Sequence, residues 1–277
     1  MNRETFEKIV RAKLAERGVT NVDAKQIQTA VKRANDVHVH MSERLQQDFT
    51  RLFDLSVQGV PFSKILEITG ADQDSLIIDL GANLGQQLGE IVKIGAEVHA
   101  FEPHPILGDF LEKKYEEHPN VIVKKSAAGV VNGEVRFFYK GTEEEINGGA
   151  SLLVWKMHGD LDLVAGTRVA CSDIAEYINN LDRQVKILKI DIEGFEYEVL
   201  DHLLSTDTIK KVDYILFEDH ADCFTHLAWF ESALAALQRF ETQNPATKVF
   251  MWSGTPDIEP INIALEAEIK RMIRKKR

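Results

Sequence analysis

From residue 75 onward the chain alternates short apolar runs with amphipathic segments, and this rhythm constrains the fold more than any other feature. Strands are expected at 76–79, 97–101 and 121–125, with helices at 84–94 and 105–117 between them. Helical segments of this length between short apolar strands make right-handed crossovers onto a mostly parallel sheet. The class is therefore α/β. After an interruption the rhythm resumes with a short strand at 167–170, a helix at 173–180, a strand at 185–191, a helix at 193–203 and a strand at 212–218. A helix near 225–240, a strand at 247–252 and a terminal helix from about Ile263 complete the series.

Two segments break this pattern. Residues 1–70 carry helical periodicity and no strand signal: Phe6, Ile9, Val10 and Leu14 share a face, as do Ile27, Ala30, Val31 and Ala34, and then Leu45, Phe49, Leu52 and Phe53. They read as an N-terminal helical module that caps the main domain, pairs two subunits as a homodimer, or shapes the approach to a site. The main domain is expected over 71–277. Within it "GEVRFFYKG" reads as an extra strand or hairpin arm, and the polar, Gly-rich stretch 141–166 reads as an insertion. Insertions of that length are usually functional or disordered, so this one is the candidate substrate side.

With 277 residues the chain can bury a sizeable core. It has no apolar run of the roughly 20 residues needed to cross a bilayer. "MNRETFEKIV" lacks the continuous apolar segment of a signal peptide. A cytoplasmic location is expected. Cys171 and Cys223 have no metal-ligand spacing and read as small reduced hydrophobes. The formal charge of −11 disfavours nucleic acid as a partner, since backbone binding depends on cations. The exception is the C-terminal "IKRMIRKKR", which reads either as a contact for an anionic surface or as a solvated helix end whose cations suit the dipole.

The stretch "LIIDLGANLGQQ" joins the first of these strands to its helix. Asp79, Gly81, Asn83 and Gly85 form D-x-G-x-N-x-G, where Gly81 permits a tight turn and Gly85 a close helix start. A pyrophosphate wants an amide-rich, charge-neutral cradle. Here Asn83 stands at the second glycine position of the dinucleotide fingerprint, and Asp79 would repel phosphate. A carboxylate there suits a ligand with an ammonium group, such as S-adenosylmethionine, which also carries a sulfonium. Glu102, in "HAFEPHP" about twenty positions on, ends the second strand where a carboxylate accepts ribose hydroxyls. The structural alternative is that the glycines only turn the chain and Glu102 caps the next helix. In "VIVKKSAAGV", Ser126 and Ala127 are expected beside an adenine.

A second acidic cluster lies in "ILKIDIEGFEYEVL". Asp191 ends a central strand at the edge where open α/β sheets bind ligands, and Glu193, Glu196 and Glu198 follow. Glu218, Asp219 and His220 end the next strand. Asp191 and Glu218 are expected to face one crevice, where three roles compete: orienting a substrate hydroxyl, accepting its proton, or holding a divalent cation. Asp219 and His220 have a solvated loop as their alternative. His158, inside the insertion, is a third candidate base because imidazole titrates near neutrality.

In order and spacing, "LIIDLGANLG", "AFEPHP", "KSAAG", Ser151-Leu152, "ILKIDIEGFEYEVL" and "YILFE" resemble the FkbM-type S-adenosylmethionine-dependent methyltransferases, over roughly residues 75–220. The resemblance implies a class I, Rossmann-like fold with a mostly parallel seven-stranded sheet. It also implies O-methylation of a hydroxyl on a sugar, glycan or secondary metabolite, and cofactor roles for Asp79, Gly81, Asn83, Gly85 and Glu102. Where such proteins commonly have Thr-Leu-Asp before a helix, this chain has Cys171-Ser172-Asp173, with Asp173 a helix cap. Methyl transfer needs the attacking oxygen in line with the methyl and sulfur, chiefly a positioning task. Asp191 is the first candidate for the base, with Glu218 and His158 behind it. The rival readings are a nicotinamide-dependent oxidoreductase and a noncatalytic protein that keeps the nucleoside fold to bind a glycan or a partner.

Overall fold

The computed structural model describes residues 55–56, 59–139, 150–152, 166–220 and 227–252. The expected N-terminal helices before residue 55, most of the insertion including His158, Cys223, and the terminal helix with its basic end lie outside the described residues.

The main sheet is built from β1 (Leu55–Ser56), β2 (Leu76–Leu80), β3 (Glu97–Phe101), β4 (Val121–Lys124), β8 (Val185–Ile190), β9 (Val212–Phe217) and β10 (Lys248–Met251). Its order is β1-β10-β9-β8-β2-β3-β4, and every pairing is parallel. The chain runs outward from β2 to β4 on one side, then returns to β8 on the other. The C-terminal ends of β2 and β8 therefore flank a topological switch point, where an open α/β sheet leaves a crevice. β1 corrects the expectation of an all-helical segment up to residue 70, since the sheet's outermost strand comes from Leu55–Ser56. Two residues are too short for any periodicity to register.

The crossovers are α1 (Phe62–Thr69), α2 (Leu88–Ile94), α3 (Pro105–Lys114), α4 (Ile174–Asn179), α5 (Glu196–Ser205) and α6 (Leu227–Gln243). Alternation along β2 divides the core in two. Leu76, Ile78 and Leu80 pack with Ile174, Leu200 and Leu203 on one face, while Ile77 packs with Phe62, Leu88, Ile91 and Leu111 on the other. α1 belongs to this second layer: Phe62 meets Trp252 edge to face at 5.9 Å, and the Trp252 indole donates to the Val60 carbonyl. Asp173 caps α4 as expected, accepting the Glu176 N–H at 3.0 Å.

A small second sheet of order β5-β7-β6 covers one end of the crevice: β5 (Ala127–Gly129), β6 (Gly133–Phe138) and β7 (Gly166–Asp173). β6 and β7 pair antiparallel across the insertion, which makes the expected hairpin arm. β5 was not expected, because three small residues carry no strand pattern. Ser151 bridges back to Phe138, which returns the insertion to this sheet. Among the described residues no helix is long and apolar enough to cross a membrane.

Candidate functional site

A cleft at the switch point is lined by Gly81 and Asn83 from the turn after β2, by Glu102, Pro103 and His104 after β3, and by Ala127 and Ala128 of β5. Phe137, Ala150 and Leu152 close one wall, and Asp191, Ile192 and Glu193 the floor. The space between these walls is about 650 Å³, counting the part open to solvent.

The glycine turn is fixed by close packing. Gly81 adopts φ 85°, and a Cβ there would stand 1.8 Å from the Asp191 backbone oxygen. Only glycine lets the ends of β2 and β8 come this near. Gly85, at φ 75°, lies against the Leu111 side chain. Four amides of the turn are satisfied internally: those of Gly81 and Ala82 donate to the Phe101 carbonyl, that of Gly85 to Ala82 O, and that of Asn83 to Glu102 Oε2 at 2.7 Å. They do not form the outward-facing amide cradle that a pyrophosphate requires.

Glu102 does more than the sequence suggested. It is buried, and besides Asn83 it accepts the His104 N–H at 2.8 Å through Oε1, so one carboxylate ties the first turn to the start of α3. Burial pushes it up to about 7, against the pull of those two amides. Each oxygen keeps a second lone pair, and the residue lines the cleft.

Asp79 occupies a different position. It is absent from the cleft lining and 1% exposed, on the same face of β2 as Ile77. Its cross-strand neighbour is Lys189, whose ammonium is 3.1 Å from Asp79 Oδ1 as a charge contact without hydrogen-bond alignment. The same ammonium reaches Asp191 Oδ2 at 3.0 Å and the Gly81 carbonyl at 3.4 Å. Burial disfavours a charged lysine, but Asp191, Asp79 and Glu218 together hold it charged. Burial pushes Asp79 up while Lys189 pulls it back. The direction that governs the group is a charged lysine clamped between carboxylates. Lys189 was missed in the sequence, although a lysine inside "VKILKI" at a buried strand position is itself a signal.

Asp191 and Glu218 do come close enough for each carboxyl to shift the other, but of the two only Asp191 lines the cleft. Burial would raise Asp191, but Lys189 and His220 overcome it and hold its carboxyl low. Glu218 is pushed up to about 8 by burial and then by Asp191. Ala127 lines the cleft, whereas Ser126 turns away to share a hydrogen bond with Ser172 at 2.9 Å. The loop alternative for Asp219 and His220 does not hold: Asp219 accepts the Tyr197 hydroxyl at 2.7 Å, and His220 Nδ1 meets Glu196 Oε1 at 2.9 Å. Burial opposes charge on His220, yet Glu196, Glu193 and Asp191 raise it to about 10. From the insertion, the Ser151 hydroxyl donates to the Glu193 carbonyl at 2.6 Å, and Leu152 of the Ser151-Leu152 pair reaches the cleft together with Ala150, which carried no signal in the sequence.

The cleft thus sits where an open sheet binds small ligands, carries Glu102, Asp191 and Glu193 on its lining, and has those four turn amides already occupied. Compared with known proteins, residues 79–239 match the family model described as Methyltransferase FkbM domain. Among curated proteins and solved structures none matches the chain.

Proposed function

This chain belongs to the FkbM methyltransferase family and is an S-adenosylmethionine-dependent enzyme, and on that premise we propose that it O-methylates a hydroxyl of a sugar, glycan or secondary metabolite. The observation that carries the reading is the acidic cleft at the switch point with the Gly81, Ala82, Asn83 and Gly85 amides internally bonded. An anionic pyrophosphate is disfavoured in such a site, and a cationic nucleoside is favoured. The finer fold reading is the class I, Rossmann-like sheet, supported by the reversal of strand order between β2 and β8.

When bound, the cofactor supplies a methyl group activated on a sulfonium. The residues present fit it. Glu102 has lone pairs left for ribose hydroxyls, Ala127 and Ala128 leave room for a flat ring, and Gly81, Asn83 and Gly85 hold the turn beneath. Asp79 acts at one remove by clamping Lys189, which orients Asp191. Ser126 supports β5 from behind through Ser172. Asp191 accepts the hydrogen bond of the acceptor hydroxyl, and the Asp191–Glu218 pair takes its proton as a unit. His158 remains a second candidate base from the insertion.

The test uses cofactor labelled in its methyl carbon with panels of free and hydroxyl-blocked sugars, glycolipids and polyhydroxylated small molecules. Label that enters only unblocked acceptors and survives mild alkali is an ether, as expected. Label released by alkali would be an ester on a carboxylate, and would overturn the hydroxyl assignment.

A further inference from the structure

Asp191 and Glu193 lie on the loop after β8 that forms the floor of the cleft, and His220, on the loop after β9, packs against them. One ligand atom from each falls within 4.8 Å of the others. We propose that these three side chains form a divalent-cation site that, within the methyltransferase reading on which its catalytic role rests, holds the acceptor hydroxyl. Two carboxylate oxygens and one imidazole nitrogen suit Mn2+ or Zn2+ better than the all-oxygen ions Mg2+ and Ca2+.

The independent observation is Glu196, which is not one of the three ligands. Its carboxylate is fully buried, and Oε1 accepts the backbone N–H of Ile192 at 3.0 Å and of Gly194 at 2.9 Å, so it fixes the loop that carries Asp191 and Glu193. The same oxygen meets His220 Nδ1. The carboxylate holds the proton on Nδ1, so the proton that a cation displaces is the one on Nε2, which faces Glu193 Oε2 3.4 Å away. This is how histidine ligands are held in metal sites: the outer carboxylate selects the tautomer and raises the basicity of the inner nitrogen. Glu196 Oε2, meanwhile, is buried without a hydrogen-bond partner. A buried carboxylate beside further carboxylates is costly, and a divalent charge between them offsets that cost. Asp191 and Glu193 also line the cleft, so the cation's remaining positions would open toward a substrate.

Those open positions suit an acceptor with two adjacent oxygens, such as a vicinal diol or a hydroxyl beside a carbonyl. In the transfer, a lone pair of the ligated oxygen forms the new O–C bond. The C–S bond breaks with its electrons going to sulfur, and the hydroxyl proton leaves to the Asp191–Glu218 pair.

The test is Mn2+ titration of the chelator-treated full chain, followed by electron paramagnetic resonance with spin-echo modulation to detect bound nitrogen. One Mn2+ per chain is expected, with a nitrogen signal that disappears in His220→Ala. Glu196→Gln should weaken binding about 10- to 100-fold. Glu193→Gln, which keeps the side-chain volume at a partly exposed position, should weaken it at least as much and serves where His220→Ala fails to fold. Absence of saturable Mn2+ and Zn2+ binding overturns the site, as does binding left unchanged by both Glu196→Gln and Glu193→Gln. S-adenosylhomocysteine is titrated separately into metal-free protein. If it binds and Mn2+ does not, the cation site falls while the methyltransferase reading stands; the reverse result sinks the reading and keeps the site.

Discussion

The two sides of the cleft are built from different materials. On the β2 side, backbone geometry does the positioning: Gly81 and Gly85 take left-handed conformations, Asn83 joins them at φ 49°, and Glu102 ties the turn down through two amides. On the β8–β9 side, side-chain charge does it. Lys189 sits between Asp79 and Asp191, and His220 between Glu196 and Glu193. A backbone turn fails abruptly when it is crowded. An ion network fails by degrees, according to which charge is left without an opposite. That contrast predicts how each side breaks.

The largest effect is expected at Gly81. A methyl group there collides with the Asp191 carbonyl at 1.8 Å, backbone against backbone, so nothing flexible can yield. Gly81→Ala should cost about 5 kcal/mol, at the exceptional end for a single substitution, and abolish S-adenosylhomocysteine binding; a melting curve within a few degrees of the parent would show that the strands have room to part. Gly85→Ala is the milder comparison on the same side. Its Cβ meets Leu111 Cδ2 at 2.7 Å, the end of a side chain that can rotate. The remaining cost is the left-handed backbone, about 1–3 kcal/mol.

Lys189→Met comes next. It leaves Asp79 buried with no cation, and removing one member of a buried ion cluster costs about 3–5 kcal/mol. Replacing both with apolar residues, Lys189→Met with Asp79→Leu, should recover much of this in chemical denaturation. A double variant no more stable than the single one would mean that Lys189 matters for Asp191 rather than for Asp79.

The same contrast explains what could be read without coordinates. The strand and helix order was legible because burial on both faces writes apolar runs into β2, β3, β8 and β9. The glycine turn was legible because a left-handed residue next to a foreign backbone admits almost nothing but glycine. The ion network was not legible. Asp79 reads as a ligand-facing carboxylate until the register places Lys189 beside it, and register between strands about a hundred residues apart has no local sequence signal. The solvated alternative for His220 stayed open for the same reason, since its partner Glu196 stands on a different element. β1 and β5 escaped because two and three residues show no period.

Glu102 sharpens the comparison from the β2 side, because it is the one charge in a region otherwise held by backbone. Its folded value of about 7 lies above the ordinary 4.5 of an unfolded glutamate. The folded chain therefore binds that proton more tightly than the unfolded one. Glu102's contribution to stability is complete below about pH 4.5 and is lost as pH rises through 7, with about 2 kcal/mol disappearing between pH 5 and 7. The difference between the parent and Glu102→Gln in urea midpoints across that range isolates it, since the glutamine does not titrate. Cofactor binding should run the other way. Ribose hydroxyls that donate to Glu102 favour the carboxylate, so S-adenosylhomocysteine binding near pH 6.5 should expel a fraction of a proton. Calorimetry in buffers of different ionisation enthalpy reads that proton directly, and Glu102→Gln should remove it. If the parent and the variant release the same amount, the proton comes from the Asp191 side, and the nucleoside sugar is not held by Glu102.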